Sequence, residues 1–397
     1  MATNGKGEGR KDGGNVTEGF ERRELGGTGL SLTTLGLGCA AMAGNHRPVA
    51  DEDIAGAIDE GLASGLCFVD TAPFYGFGRS ERFVGDALRK AGFGAGDRAS
   101  VDRETGETGE TGETSGKGGD ENDQAASGAD LVLSTKAGRL LRPGAAPESD
   151  ARDWPGALPF TPVYDYSYEG VMRSFEDSFQ RLGLPRIDIL LLHDIGEMQH
   201  GAEANRALFD DAMTGGYRAL DELRRAGDIR GIGLGVNERE VCLAAMAHGD
   251  WDCFLLAGRY TLLEQDPLDD LFPACEKAGT GIILGGPYNS GILVGGSTWN
   301  YAEAPPEVVE RVRRIEAVCA SHDVPLPAAA LQFPLGSKLV ASVIPGPRSR
   351  AEARQNVAWF RTDIPASLWS DLADEGLLHE AAPLPGESPG SPSGDSA

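Results

Sequence analysis

Residues 33–51 read TTLGLGCAAMAGNHRPVAD, and this stretch separates two α/β architectures. A short apolar run leads into Gly36-Leu37-Gly38-Cys39-Ala40-Ala41, which fits the GxGxxA pattern of a dinucleotide-binding βαβ unit. Asp70, at the end of the next apolar run, fits that unit's acidic residue. Such a motif needs a helix directly behind its glycines, because the helix N-terminus holds the pyrophosphate. Here Gly44, Asn45 and Pro48 interrupt the chain, and the first amphipathic pattern starts only at Asp51. The open doubly wound sheet is disfavoured at its diagnostic turn.

Outward from that turn, apolar or β-branched runs recur at Thr33–Gly38, Leu66–Asp70, Asp130–Thr135, Ile187–His193, Ile229–Val236, Cys253–Leu256, Gly281–Leu284 and Ala341–Ile344. Between and after them lie helical patterns at Asp51–Ser64, Ser80–Ala91, Tyr168–Leu182, Tyr217–Ala226, Glu238–Ala247, Pro267–Ala278, Pro306–His322 and Ser349–Ala358. Eight βα units predict a closed (β/α)8 TIM barrel. A β-hairpin around Phe20–Leu32, with Gly26-Gly27 at its turn, is expected to cap the barrel bottom.

The chain has 397 residues, 36 basic against 61 acidic, for a formal charge of −25. A field of that sign repels phosphate backbones and anionic lipid, so neither nucleic acid nor a membrane surface is an expected partner. Only 7 of the basic residues are lysines, which together with the acidity reads as a salt-adapted, halophilic protein. Three segments are too polar and Gly-rich to order themselves: 1–19, the insertion 94–128 with its Thr-Gly-Glu repeats, and the tail 380–397. The folded unit is expected over 20–379, with the insertion emerging at the barrel bottom, away from a site at the top. These three segments carry −9, leaving −16 on the barrel, so the acidity belongs mostly to the folded surface. The six cysteines, at 39, 67, 242, 253, 275 and 319, show no paired spacing, and no signal-peptide or membrane-spanning stretch is visible. A cytoplasmic protein with reduced thiols is expected. Oligomeric state is not readable.

Functional groups of a barrel belong at the C-terminal ends of its strands, and those ends hold Asp70, Lys136, His193, Asn237 and Arg259, with Tyr75 five residues after Asp70. Taken singly, a strand-end Asp is most often a turn cap, a Tyr between phenylalanines is packing, and a His behind three leucines is a core residue. Lys136 is harder to dismiss: an ammonium behind an apolar strand needs a counter-charge, and Asp70 is the candidate. The scattered His and Cys lack ligand spacing, so no metal is expected, and without a GxSxG elbow acyl transfer has no support.

Four motifs then stand in one order: Val69-Asp70-Thr71-Ala72-Pro73-Phe74-Tyr75-Gly76, Ser134-Thr135-Lys136, Leu190-Leu191-Leu192-His193-Asp194 and Val343-Ile344-Pro345-Gly346. In this the chain resembles the aldo-keto reductase superfamily over roughly residues 20 to 378. The stretches Tyr164–Val171 and Ala257–Leu263 look most like the branch of L-fucose (D-threo-aldose) dehydrogenases and pyridoxal 4-dehydrogenase. The resemblance implies a tetrad of Asp70, Tyr75, Lys136 and His193 that moves a proton on a carbonyl oxygen while hydride passes to or from a nicotinamide. Lys136 would lower the Tyr75 pKa, with Asp70 holding the lysine.

By the same resemblance Asn237 would hold the carboxamide, and Gly346, Arg348, Ser349, Glu352 and Asn356 would bind the adenosine-phosphate end. Arg350 is a further phosphate candidate there. Several positions depart from the family: Gly235 replaces a Ser, Ala257 a Gln, and the stacking aromatic aligns near Gly285, with Tyr288 as a substitute. Glu352 aligns with the Arg that meets a 2′-phosphate, which favours NAD, with NADP the alternative cofactor. Phe74, Phe77, Trp154, Tyr166 and Arg259 are the expected substrate contacts, for an aldose such as L-fucose or for pyridoxal. The reading of another class is a barrel that binds nicotinamide as a non-catalytic regulatory subunit; the intact tetrad weighs against it.

Overall fold

The computed structural model describes residues 19–94 and 130–386. The expected segments 1–19 and 94–128 fall, apart from Gly19 and Gly94, outside the described residues. The tail expected from 380 is described as far as Gly386, and Ala382 and Leu384 pack against the main core, so this part belongs to the folded unit. Residues 387–397 lie outside.

Eight parallel strands run in chain order around one sheet: Leu37–Gly38, Phe68–Asp70, Val132–Ala137, Ile189–His193, Gly231–Val236, Cys253–Ala257, Gly281–Gly285 and Val340–Ile344. Leu35 bridges to Val343, and Gly36 N donates to Val343 O at 2.9 Å, which closes the first strand onto the eighth. The (β/α)8 barrel is therefore formed. All eight expected strands exist, shifted by one to four residues at their ends. The first is the most altered, because Ser31–Thr33 pairs instead with Arg22–Glu24 in the N-terminal hairpin.

Side chains alternate across each strand, and two cores result. Phe68, Val132, Ile189, Leu191, Leu255 and Ile283 point into the barrel, where Leu25, Leu30 and Leu32 of the hairpin plug its lower end. Val69, Leu133, Leu190 and Leu192 point outward to the helices. The hairpin turn needs a glycine at Gly26: its φ is +49°, and a Cβ there would come 2.4 Å from Asp252 O. No helix among the described residues is long and apolar enough to cross a membrane.

Several elements escaped the sequence reading. An antiparallel hairpin, Arg139–Pro143 with Phe160–Tyr164, rises over the third strand and carries the short helix Glu148–Asp153. Helix Glu197–Asp211 and a π-turn, Ala212–Gly216, precede helix Tyr217–Ala226. Helices Leu326–Gln332 and Ala366–Asp374 complete the wall near the C-terminus. A small hairpin, Thr298–Trp299 with Ala302–Glu303, lies beyond the seventh strand.

Candidate active site

Strand alternation builds the site. Phe68 and Asp70 share one face of the second strand, as do Val132, Ser134 and Lys136 on the third and Ile189, Leu191 and His193 on the fourth. The lower members of each file make the barrel interior, and the last member of each reaches the mouth. Lys136 Nζ donates to Asp70 Oδ2 at 2.7 Å, to Oδ1 at 2.9 Å and to Thr71 O at 2.8 Å, which uses all three of its protons. Ser134 Oγ donates to Asp70 Oδ1 at 2.5 Å. Both ions are almost fully buried, so each depends on the other for its charge balance. Gly235 faces the lysine stem: a Cβ there would sit 3.0 Å from Lys136 Cε, so a residue smaller than serine leaves room for it.

The Tyr75 ring lies 4.8 Å from Lys136 Nζ, 5.6 Å from the His193 ring at 84°, and 5.7 Å from Trp154, on which it stacks at 23°. The four residues of the expected tetrad are thus brought together. The phenol is pushed well above the usual tyrosine range by burial first, then by the charges of Asp70 and Asp194. This reverses the expectation that Lys136 would lower it. The ammonium is matched by Asp70, and the carboxylates and the loss of water decide the direction. His193 is held well below the usual histidine range by burial and by Arg139 and Lys136, so the imidazole is neutral.

The wall beside His193 contains Arg139, from the connection after the third strand that was expected to cover the substrate, and Asp194, which periodicity did not single out. Asp194, at φ +49°, lies with its carboxylate 3.4 Å from His193 Nε2 and pairs with Arg139. Arg139 stacks 3.9 Å over Phe74 and 5.0 Å from Tyr164. The motif Leu190–Asp194 contained Asp194 in plain view, but nothing local marks which neighbours a left-handed residue will face.

The expected substrate contacts divide. Phe74 and Trp154 meet edge to face at 5.4 Å beside His193 and form a wall of the mouth. Phe77 is 1% exposed and packs behind Phe74, so it supports the wall instead of lining it. Tyr166 is likewise buried, and its hydroxyl donates to His193 O at 2.6 Å, so it fixes the histidine backbone and does not face the mouth. Arg259 is engaged in a clamp: Nε donates to Asn237 O at 2.7 Å and Nη1 to Asn300 Oδ1 at 2.6 Å.

Asn237 Nδ2 donates to Ala257 O and to the hydroxyl of Tyr301, whose ring reaches across the mouth to within 6.2 Å of His46. Tyr301 was not anticipated. Tyr288, expected as a substitute stacking ring, is committed elsewhere: its hydroxyl donates to Asn356 Oδ1 at 2.8 Å and its ring packs on Trp359.

Beyond the eighth strand, Gly346, Arg348 and Ser349 lead into helix Arg350–Phe360, with Ser349 Oγ accepting from Glu352 N at 3.2 Å as its cap. Glu352 Oε2 accepts from Arg348 N at 2.7 Å, and Oε1 lies 3.5 Å from Arg47. Arg350, expected to meet a phosphate, pairs instead with Glu60 and Asp59 on helix Asp51–Ala63. Arg348 Nε is buried beside this helix N-terminus without a hydrogen-bond partner among the described residues, which suits an anionic oxygen of a dinucleotide. The unpartnered Arg348 Nε beside a helix N-terminus fits the phosphate of a nicotinamide dinucleotide. Among the described residues, no group of three or more His, Cys, Asp or Glu could hold a metal ion.

Residues 34–374 match the model of the Aldo/keto reductase family. Pyridoxal 4-dehydrogenase from Microbacterium luteolum is 42% identical over 367 residues, covering 90% of this chain and 98% of the relative. D-threo-aldose 1-dehydrogenase from a Pseudomonas species is 33% identical over 369 residues, covering 88% and 96%. Among solved structures, an aldo-keto reductase from Bacillus halodurans is similar with a TM-score of 0.60 at 22% identity, covering 91% of this chain and 98% of the other. The glycerol dehydrogenase of Gluconobacter oxydans is similar with a TM-score of 0.61 at 18% identity, covering 94% and 99%. The two structures speak for the barrel alone, and none of the four supports a non-catalytic role. With the family model matched along most of its length and a 42% identical relative along nine-tenths of it, this chain belongs to the aldo/keto reductase family and is an NAD(P)-dependent oxidoreductase acting on a small-molecule substrate.

Proposed function

We propose that the enzyme interconverts the hemiacetal carbon of a small cyclic sugar and its lactone, or acts on a related aldehyde or alcohol such as pyridoxal, with NAD as cofactor. The carrying observation is the buried Lys136 and Asp70 pair beneath Tyr75, with neutral His193 beside it. Both relatives named above act, by their names, on compounds whose aldehyde can close on a hydroxyl of the same molecule, an aldose or pyridoxal. The aromatic wall of Phe74 and Trp154 suits the face of such a ring.

In this reading Tyr75 carries the moving proton. Bound nicotinamide supplies or accepts the hydride. His193, uncharged, hydrogen-bonds the substrate oxygen and orients it toward the Tyr75 hydroxyl, while Tyr166 and Asp194 hold the histidine from behind. For oxidation Tyr75 Oη takes the hydroxyl proton; for reduction it returns it. Because the phenol pKa is raised, Tyr75 is protonated at neutral pH and is ready as an acid. Reduction should therefore hold its kcat/KM from neutral into mildly alkaline pH, whereas oxidation, which needs the phenolate, should rise over the same range. Profiles measured in both directions check this, and an oxidation rate falling with alkaline pH would remove Tyr75 from the role.

The preference for NAD rests on Glu352, whose carboxylate is held at the helix N-terminus by Arg348 N and meets the charge of Arg47. A 2′-phosphate would stand against that carboxylate. We expect kcat/KM to favour NAD, and Glu352→Ala, which releases Arg47, to move the ratio toward NADP by about five-fold. A wild-type preference for NADP would count against the argument. Six unpaired, buried thiols support a reducing, cytoplasmic location, and the lysine-poor acidic surface supports salt adaptation. Following nicotinamide absorbance at high salt against aldoses including L-fucose, pyridoxal and simple aldehydes tests the whole reading. Binding without turnover across that panel would overturn it.

A further inference from the structure

We propose that Arg139 is a specificity-determining residue, which donates hydrogen bonds to an oxygen substituent one or two carbons along the substrate from the carbon that is oxidised or reduced. The inference rests on the functional reading above and adds a recognition element that reading does not use. Arg139 follows the catalytic strand by two residues, across Gly138 at φ +96°, where a Cβ would lie 2.3 Å from the Tyr166 ring. This tight turn brings the guanidinium back against the mouth, where it is 2% exposed between Phe74 and Tyr164.

Only part of its donor set is used. Nη2 pairs with Asp194 Oδ2, while Nε and Nη1 are buried with no hydrogen-bond partner among the described residues. A guanidinium cannot shed its proton to escape this, so two enclosed donors are left that an incoming oxygen can satisfy. His193 Nε2 lies 3.4 Å from the same Asp194 oxygen, which places the guanidinium and the imidazole side by side along one carboxylate. With the reacting oxygen between Tyr75 and His193, an oxygen one or two carbons along the substrate falls to Arg139.

Charge narrows the ligand. Asp194 matches Arg139 and Asp70 matches Lys136, so no cationic excess remains for a strongly anionic group. The shared chemistry is a hydroxyl or phenolic oxygen that neighbours the reacting oxygen in space, one carbon along from the reacting carbon on an aldose and two along on an ortho-hydroxylated aromatic aldehyde. Tyr164, half open to solvent and held by Gln199 at 2.8 Å, covers the guanidinium from outside and must swing for the oxygen to enter.

The test compares kcat/KM within two substrate pairs, an aldose with its 2-deoxy analogue and 2-hydroxybenzaldehyde with benzaldehyde. In the wild type the oxygen-bearing member should be favoured by about ten- to a hundred-fold in the pair that matches the true substrate. Arg139→Gln should drive that ratio toward one, and Arg139→Lys, which keeps the charge but loses the fork, should recover only part of it. Comparing ratios cancels the intrinsic reactivity of each compound. Equal wild-type values in both pairs, or a variant that slows both members by the same factor, would overturn the assignment even if the variant folds poorly. Absence of turnover with every compound is a different pattern, which sinks the functional reading and this inference together.

Discussion

Tyr75→Phe is expected to lower kcat by about 10² to 10⁴-fold, the usual worth of a positioned acid or base, while leaving nicotinamide affinity close to that of the wild type. The substitution removes one oxygen from a ring that is otherwise held by packing: Trp154 stacks on it and Lys136 lies over its face. The phenol oxygen makes no hydrogen bond among the described residues, so the shape of the mouth should persist. Burial and two neighbouring carboxylates keep that oxygen protonated, which is the state a carbonyl reduction draws on. Steady-state turnover in both directions, with cofactor binding followed by fluorescence, separates chemistry from binding. Near-normal turnover in Tyr75→Phe would show that another group moves the proton.

Lys136→Met should act on the fold as well as on turnover. It leaves the Asp70 carboxylate, 3% exposed, with Ser134 as its remaining side-chain partner. Removing one member of a buried ion pair costs about 3–5 kcal/mol, because the other charge stays behind without compensation. A lower denaturant midpoint with an unchanged slope is the expected signature. Adding Asp70→Asn to the same chain removes the stranded charge and should restore much of the stability while leaving activity lost. A single variant as stable as the wild type would mean that Asp70 does not carry its charge in the folded protein. The double variant distinguishes the stability of the barrel mouth from its chemistry, which the single variant alone affects together.

Legibility along the chain follows the range of the interactions. The strand Ile189–His193 could be read from its own apolar run, and Lys136 from the cost of an ammonium behind such a run. Helix Tyr168–Leu182 has its expected bounds, and the structure shows that local devices set them: Ser167 caps it and Gly183 ends it. The hairpin Arg139–Pro143 with Phe160–Tyr164 was missed, since its two strands are separated by a helix and carry arginines and prolines in place of an alternating pattern. Phe77 and Tyr166 were expected to line the mouth because aromatic residues near a site commonly do. Their burial behind Phe74 and His193 depends on how two loops pack, which no window of sequence contains.

What the sequence determined alone was the barrel and which polar groups stand at the ends of its strands. Alternation with period two sends Asp70, Lys136 and His193 inward with the residues below them, and eight repeats of strand and helix close the sheet. What only the tertiary structure decided was the company those groups keep. Asp194 beside Arg139 and His193, Tyr301 on Asn237, and Glu352 folded onto Arg348 N are contacts between loops far apart in the chain or turned by a left-handed residue. The direction of the Tyr75 shift, set by burial first and then by Asp70 and Asp194, belongs to that assembled mouth and to no single strand.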